Sequence, residues 1–161
     1  MKVRMSQNVL IEGVIVKDTV KYLDERGWLA ELFRNDEMLP EYIPAMGYVS
    51  VTQPGIARGP HEHVEQADFF IFLGPSNFKL YLWDNRRNSA TYQKRQVILG
   101  GEDLPKAVLI PPGVVHAYRN IGGRPGMVLN FPNRLFAGAG KKEKIDEVRH
   151  EDDPNTVFRL D

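Results

Sequence analysis

The sequence contains no cysteine, which excludes a disulfide framework and any thiolate metal site. It has no excess of charge of either sign. The 21 basic residues offset the 21 acidic ones, so nothing favours nucleic acid or an acidic membrane as a partner, although a local basic pocket remains open. No apolar run comes near the roughly 18–20 residues of a membrane span, and the N-terminus alternates polar and apolar residues without a signal core. The expected location is therefore the cytoplasm. No repeat, low-complexity tract or linker divides the 161 residues, and one domain over 1–161 is expected.

Long helical periods are also missing. The apolar runs are short and separated by Gly, Pro and Asn. The segment Phe78-Lys79-Leu80-Tyr81-Leu82-Trp83, between Pro75-Ser76-Asn77 and Asp84-Asn85, reads as a strand with two different faces. Further strands are expected at 14–16, 29–33, 48–51, 69–73, 97–99, 108–110, 115–118 and 127–131. Short helices are expected at 35–42 and 142–148. Many short strands with regular turn signals predict an all-β, mostly antiparallel sandwich or barrel. Trp28, Tyr81 and Trp83 read as barrel packing, Asp84 and Arg86 as a structural pair near a strand end, and the polar tail 150–161 as a strap across the barrel or a loose end.

Two of the four histidines stand together in Gly59-Pro60-His61-Glu62-His63. On a strand, residues two apart share a face, so His61 and His63 can both enter a barrel interior. The spacing Gly55-x5-His61-x-His63-x4-Asp68-x5-Gly74, followed by Pro111-Pro112-Gly113-Val114-Val115-His116 and Asn120, resembles the two motifs of the cupin superfamily. The resemblance implies a cupin-type jelly-roll barrel. In metal-binding members the matching side chains, here His61, His63, Asp68 and His116, hold one divalent transition metal. Three interior imidazoles can also be no more than hydrogen-bonded core residues. His150, on the polar tail, reads as a surface residue.

A closer resemblance runs through most of the chain. Asp24-Glu25-Arg26-Gly27-Trp28-Leu29-Ala30-Glu31, Arg58-Gly59-Pro60-His61, Asp84-Asn85-Arg86 with Ser89-Ala90-Thr91-Tyr92, Ile110-Pro111-Pro112-Gly113-Val114-Val115-His116-Ala117-Tyr118 and Asp152-Asp153-Pro154 follow one another as the motifs of the dTDP-4-dehydrorhamnose 3,5-epimerases do. The resemblance implies an isomerase that works without a cofactor on a nucleotide-linked 4-keto-6-deoxysugar, in deoxysugar or surface-polysaccharide biosynthesis. Its base would be His61, oriented by Asp153. Arg26, Glu31 and Arg58 would bind the nucleotide and its diphosphate, and His63, His116 and Tyr118 would bind the sugar. Arginine suits phosphate because its fork pairs with two oxygens. Taken without their motifs, Arg26, Glu31 and Arg58 read as solvated surface charges. The resemblance also implies a homodimer in which the N-terminal segment is exchanged and residues 26–31 serve the neighbour's site.

Three positions depart from the family pattern. The family's enolate-stabilising Lys has Asp68 as its nearest counterpart, an anion where a cation is needed. Its catalytic Tyr is unmatched, because no Tyr follows Tyr118 and the corresponding region carries Phe136. His63 stands where the family commonly has Gln. The readings are accordingly an epimerase with a rewired second half, a metal-dependent enzyme on the same barrel, or a non-catalytic sugar-nucleotide-binding module.

Overall fold

A computed structural model describes residues 10–161, so part of the N-terminal segment expected to take part in a dimer lies outside the described residues. Twelve strands are present among them. They are β1 (Ile15–Asp18), β2 (Tyr22–Asp24), β3 (Gly27–Leu29), β4 (Tyr48–Thr52), β5 (Ala57–Glu62), β6 (Asp68–Phe72), β7 (Asn77–Asp84), β8 (Arg95–Gly101), β9 (Lys106–Ile110), β10 (Val114–Asn120), β11 (Gly126–Asn130) and β12 (Val148–Arg149). Two five-stranded sheets, in the orders β1-β9-β6-β11-β4 and β12-β5-β10-β7-β8, form an all-β jelly roll; β2 and β3 make a separate hairpin. Every pairing is antiparallel. No helix among the described residues is long and apolar enough to cross a membrane.

The two-residue period of the strands assigns each side chain to a layer. Phe78, Leu80 and Leu82 of β7 join Phe70, Phe72, Val108, Ile110, Val114, Tyr118 and Val128 in the core between the sheets. The alternate residues Tyr81 and Trp83 pack with Val115 and Ala117 on the outer face of the second sheet. That face is covered by the C-terminal tail through Phe158 and Leu160, and the Arg119 guanidinium donates to the Asp161 carbonyl at 2.6 Å. The tail is thus a strap. On the outer face of the first sheet, Ile71, Leu73 and Ala107 are covered by Ala30 and Leu32 of the segment after β3. Residues beyond Leu29 therefore contribute by packing rather than by strand pairing, and the strand expected over 29–33 is confined to its first residue.

Neither expected helix forms. Residues 35–42 make two single 3-10 turns, Asn35–Glu37 and Pro40–Tyr42, because Pro40 lacks the N–H that a continuous helix needs. Residues 142–148 are drawn out toward β12 by tertiary contacts. The Asp146 carboxylate accepts the backbone N–H groups of Val64, Glu65 and Gln66 at 2.8–2.9 Å, fastening this segment to the β5–β6 turn. Burial alone would raise the Asp146 carboxyl, and those three N–H groups hold it below its ordinary value.

Trp28, expected in the barrel wall, is 52% exposed, with the Lys21 ammonium 5.0 Å from its ring centroid. Asp84 does pair with Arg86. Its buried carboxylate accepts from the guanidinium, from Ser89 and from Thr91 at 2.6–2.9 Å, tying down the loop after β7.

Candidate functional site

A cavity of about 950 Å³ opens between the sheets, lined by β4 on one wall and β5 and β10 on the other, with the segments after β11 and before β12 at its mouth. Its histidine wall depends on a bulge. β5 and β10 pair His61 with His116 and Arg58 with Tyr118, so β5 carries one residue more than β10 over this stretch. Gly59 takes up the extra length at φ +85°, and a Cβ there would lie 2.6 Å from the His116 carbonyl oxygen. No other residue fits, and the shift sets His61 beside His116.

The rings of His61, His63 and His116 gather around Asp68. Ring centroids are 4.5 Å apart for His61 and His116, 5.7 Å for His61 and His63, and 5.8 Å for His63 and His116. The Asp68 side chain is 1% exposed. Its Oδ2 lies 3.1 Å from His63 Nε2 and 3.0 Å from His116 Nε2. Its Oδ1 accepts the Gln66 and Asn130 amides, each at 2.9 Å. Burial works to raise the Asp68 carboxyl, but the His116 and His63 contacts win and hold it well below the carboxylate range.

The other nitrogens of two rings are committed. His63 Nδ1 contacts the Asp146 carbonyl, and His116 Nδ1 lies 3.0 Å from the Val114 carbonyl. A carbonyl only accepts, so both Nδ1 atoms carry hydrogen and both Nε2 atoms face the carboxylate. Each Nε2 must then hold a second proton or point its lone pair at the site. For His63, burial disfavours the charge, but Asp68 outweighs it and pushes the ring up to about 9. Asp68 and His63 thereby form a pair of zero net charge. His116 Nε2, though 3.0 Å from Asp68, makes no hydrogen bond. One ligand atom from each of His61, His63, Asp68 and His116 lies within 4.8 Å of the others.

His61 is the least committed of the three. Burial first, and then the neighbouring His116 and His63 rings, push its ring down to about 2. It is therefore unprotonated at neutral pH, and among the described residues its nitrogens make no hydrogen bond that would have to be broken for it to accept. The carboxylate beside it belongs to Glu151, whose Oε1 is 3.9 Å from His61 Nδ1 and 3.1 Å from the Arg149 guanidinium. Asp153, expected in that place, is exposed, and its carboxylate accepts the Asn155 N–H. The 3-10 turn His150–Asp152 shifts the inward position from Asp153 to Glu151. His150 is likewise no free surface residue: its Nε2 lies 2.9 Å from Glu62 Oε1 and its ring packs on Phe158 at 4.7 Å.

The remaining expected residues divide. Arg58 lines the cavity, its guanidinium held by Thr52 Oγ1 at 3.0 Å and the Val51 carbonyl at 2.9 Å. Tyr118 lines it too, with its hydroxyl 2.7 Å from Ser50 Oγ. Arg26, 84% exposed, pairs with Asp24, and Glu31 pairs with Arg34 at 3.6 Å; neither lines the cavity of its own chain. Gln66, Asn130, Tyr48 and Glu151 were not singled out from the sequence. Asn130 carried a usable signal, since a polar residue interrupts the apolar strand at an inward position.

The comparisons with known proteins agree with this construction. The chain is 34% identical over 148 residues to the spore coat polysaccharide biosynthesis protein SpsL of Bacillus subtilis (strain 168), covering 92% of this chain and 94% of that one. It is 33% identical over 127 residues to the probable low-salt glycan biosynthesis epimerase Agl13 of Haloferax volcanii, covering 78% and 81%. In fold it is similar to a crystal structure of a dTDP sugar isomerase from Desulfovibrio desulfuricans G20, with a TM-score of 0.80 and 19% identity over 97% of this chain and 94% of that one. Residues 8–128 match the profile described as dTDP-4-dehydrorhamnose 3,5-epimerase. With the barrel, the histidine wall and these matches together, the chain belongs to the dTDP-4-dehydrorhamnose 3,5-epimerase family.

Proposed function

We propose that the protein is an epimerase of a nucleotide-linked 4-keto-6-deoxysugar, serving deoxysugar or surface-polysaccharide biosynthesis in the cytoplasm. The observation that carries this reading is the placement of His61, whose nearest carboxylate oxygen is 3.9 Å away and whose ring makes no hydrogen bond among the described residues, on the wall of a cavity of about 950 Å³, a volume suited to a sugar nucleotide. His61 removes a proton from the carbon beside the ketone, and the bonding pair moves into an enolate. Glu151, 3.9 Å from His61 Nδ1, is the carboxylate placed to steady the imidazolium so formed. The family's Lys is replaced here by the Asp68–His63 pair, which brings an imidazolium to the enolate without adding net charge. Arg58, and Arg134 and Arg149 at the cavity mouth, offer forks for the diphosphate. Relatives concerned with spore coat polysaccharide and with glycan biosynthesis support the same biosynthetic setting. The test is entry of solvent deuterium at the carbon beside the ketone.

The assembly belongs to this proposal. Val49, Val51 and Met127 are half-exposed, as are Trp28 and Leu29 of the hairpin, while Leu23 is 81% exposed. Such an apolar surface fits burial against a second copy, where Arg26 and Glu31 would reach the neighbour's cavity. Light scattering across concentrations is expected to give the mass of a dimer; a monomer at every concentration would contradict it.

A second reading is favoured by one observation, the unpartnered His116 Nε2 beside His61, His63 and Asp68. Those four side chains fit a divalent transition metal, which would supply Lewis-acid stabilisation of negative charge. The first reading predicts no stoichiometric metal in protein purified without an affinity tag. Stoichiometric metal, lost on His63→Ala, would replace it with the second.

A further inference from the structure

We propose that Tyr48 is the acid that returns a proton to the sugar carbon from the face opposite His61. The inference rests on the epimerase reading and supplies the group that the missing tyrosine leaves open.

Three observations carry it. Tyr48 stands on the wall opposite His61: it begins β4 of the first sheet, whereas His61 is on β5 of the second, and both line the same cavity. Its parity agrees, because Ser50 reaches Tyr118 in the interior, Thr52 is buried, and Val49 and Val51 point out. Finally, its hydroxyl proton is available. Asn130 Oδ1 accepts the Phe69 N–H at 3.0 Å, which fixes the orientation of the amide. Asn130 Nδ2 then donates to Asp68 Oδ1 and to the Tyr48 hydroxyl, each at 2.9 Å. Tyr48 is thus the acceptor in that bond and keeps its own O–H for a ligand. Tyr118 differs, being buried in the aromatic core with its hydroxyl paired to Ser50 Oγ.

The step balances. His61 takes the proton as the C–H bond breaks, and the electron pair moves into the enolate. The carbon then takes the Tyr48 proton on its other face as the O–H bond breaks, leaving a phenolate that accepts the Asn130 N–H. Solvent at the open cavity returns a proton to Tyr48 and removes one from His61. Tyr48 as a whole is 48% exposed, but desolvation around its hydroxyl, and then the charge of Asp68, pushes the phenol up, so it keeps its proton at neutral pH. The carbon it protonates is a far weaker acid than a phenol, so the transfer runs downhill.

The experiment compares the wild-type protein with Tyr48→Phe, a change that removes one oxygen, using dTDP-linked 4-keto-6-deoxyglucose in deuterated buffer. NMR follows exchange and inversion separately. The expected result is deuterium entry at a rate within about threefold of wild type, because the His61 side is intact, with inversion slowed roughly 10²-fold or more. A residue acting only through Asn130 and Asp68 would instead slow both together. Inversion at the wild-type rate in Tyr48→Phe overturns the assignment, as does inversion lost in Tyr118→Phe but kept in Tyr48→Phe. Exchange without inversion in the wild-type protein overturns the assignment and leaves His61 as the base. Neither exchange nor binding in the wild-type protein overturns the epimerase reading and the assignment together.

Discussion

Replacing His61 by alanine is expected to remove deuterium exchange into the sugar, a loss of roughly 10²- to 10⁴-fold or more, the range found when a positioned general base is deleted. His61 is the ring of the cluster that is free to accept, since His63 and His116 each commit Nδ1 to a backbone carbonyl. Its nearest carboxylate oxygen is 3.9 Å away, so alanine breaks no tight ion pair and the barrel should fold. Binding of dTDP, measured by calorimetry, is expected to persist because the arginines that line the cavity, Arg58, Arg134 and Arg149, are untouched. Exchange at the wild-type rate in His61→Ala would give the base to another group of the cavity wall.

Replacing Asp68 by alanine is expected to destabilise the fold by about 3–5 kcal/mol, as read from urea denaturation. The carboxylate is 1% exposed and meets four polar groups: two imidazole nitrogens and the amides of Gln66 and Asn130. Its removal leaves those groups buried without their common partner, and the desolvation cost already met in folding is no longer offset. Asp68→Asn is the milder change, because an amide with its NH₂ toward the two imidazole Nε2 lone pairs keeps its oxygen as acceptor for Gln66 and Asn130. A change below about 1 kcal/mol in Asp68→Ala would contradict the network around Asp68.

The barrel was legible in the sequence because its core strands alternate cleanly. Phe78, Leu80 and Leu82 face in and Tyr81 and Trp83 face out, as that segment reads on its own. What escaped the sequence was decided by contacts distant along the chain. Gly59-Pro60 hides β5, because the glycine needed for the bulge and the proline beside it read as a turn. Residues 142–148 have a helix-like composition, yet their conformation is set by three backbone N–H groups some 80 positions away. The shared face of His61 and His63 was readable from their spacing, and the gathering of Asp68 and His116 with them from the resemblance to the cupin motifs. The identity of the carboxylate beside His61 was not, because a two-residue offset within the 150–153 turn exchanges Asp153 for Glu151. Tyr48 carried no local signal. It faces the cavity because β4 pairs it with Asn130, a partner 82 residues on.

Proton abstraction from a carbon beside a sugar ketone is read out by incubating the wild-type protein in deuterated buffer with dTDP-linked and other nucleotide-linked 4-keto-6-deoxysugars and following each sugar carbon by NMR. Deuterium is expected at a carbon adjacent to the ketone, and none in the His61→Ala control. Unchanged spectra, with no binding of any of these sugars, would contradict that abstraction.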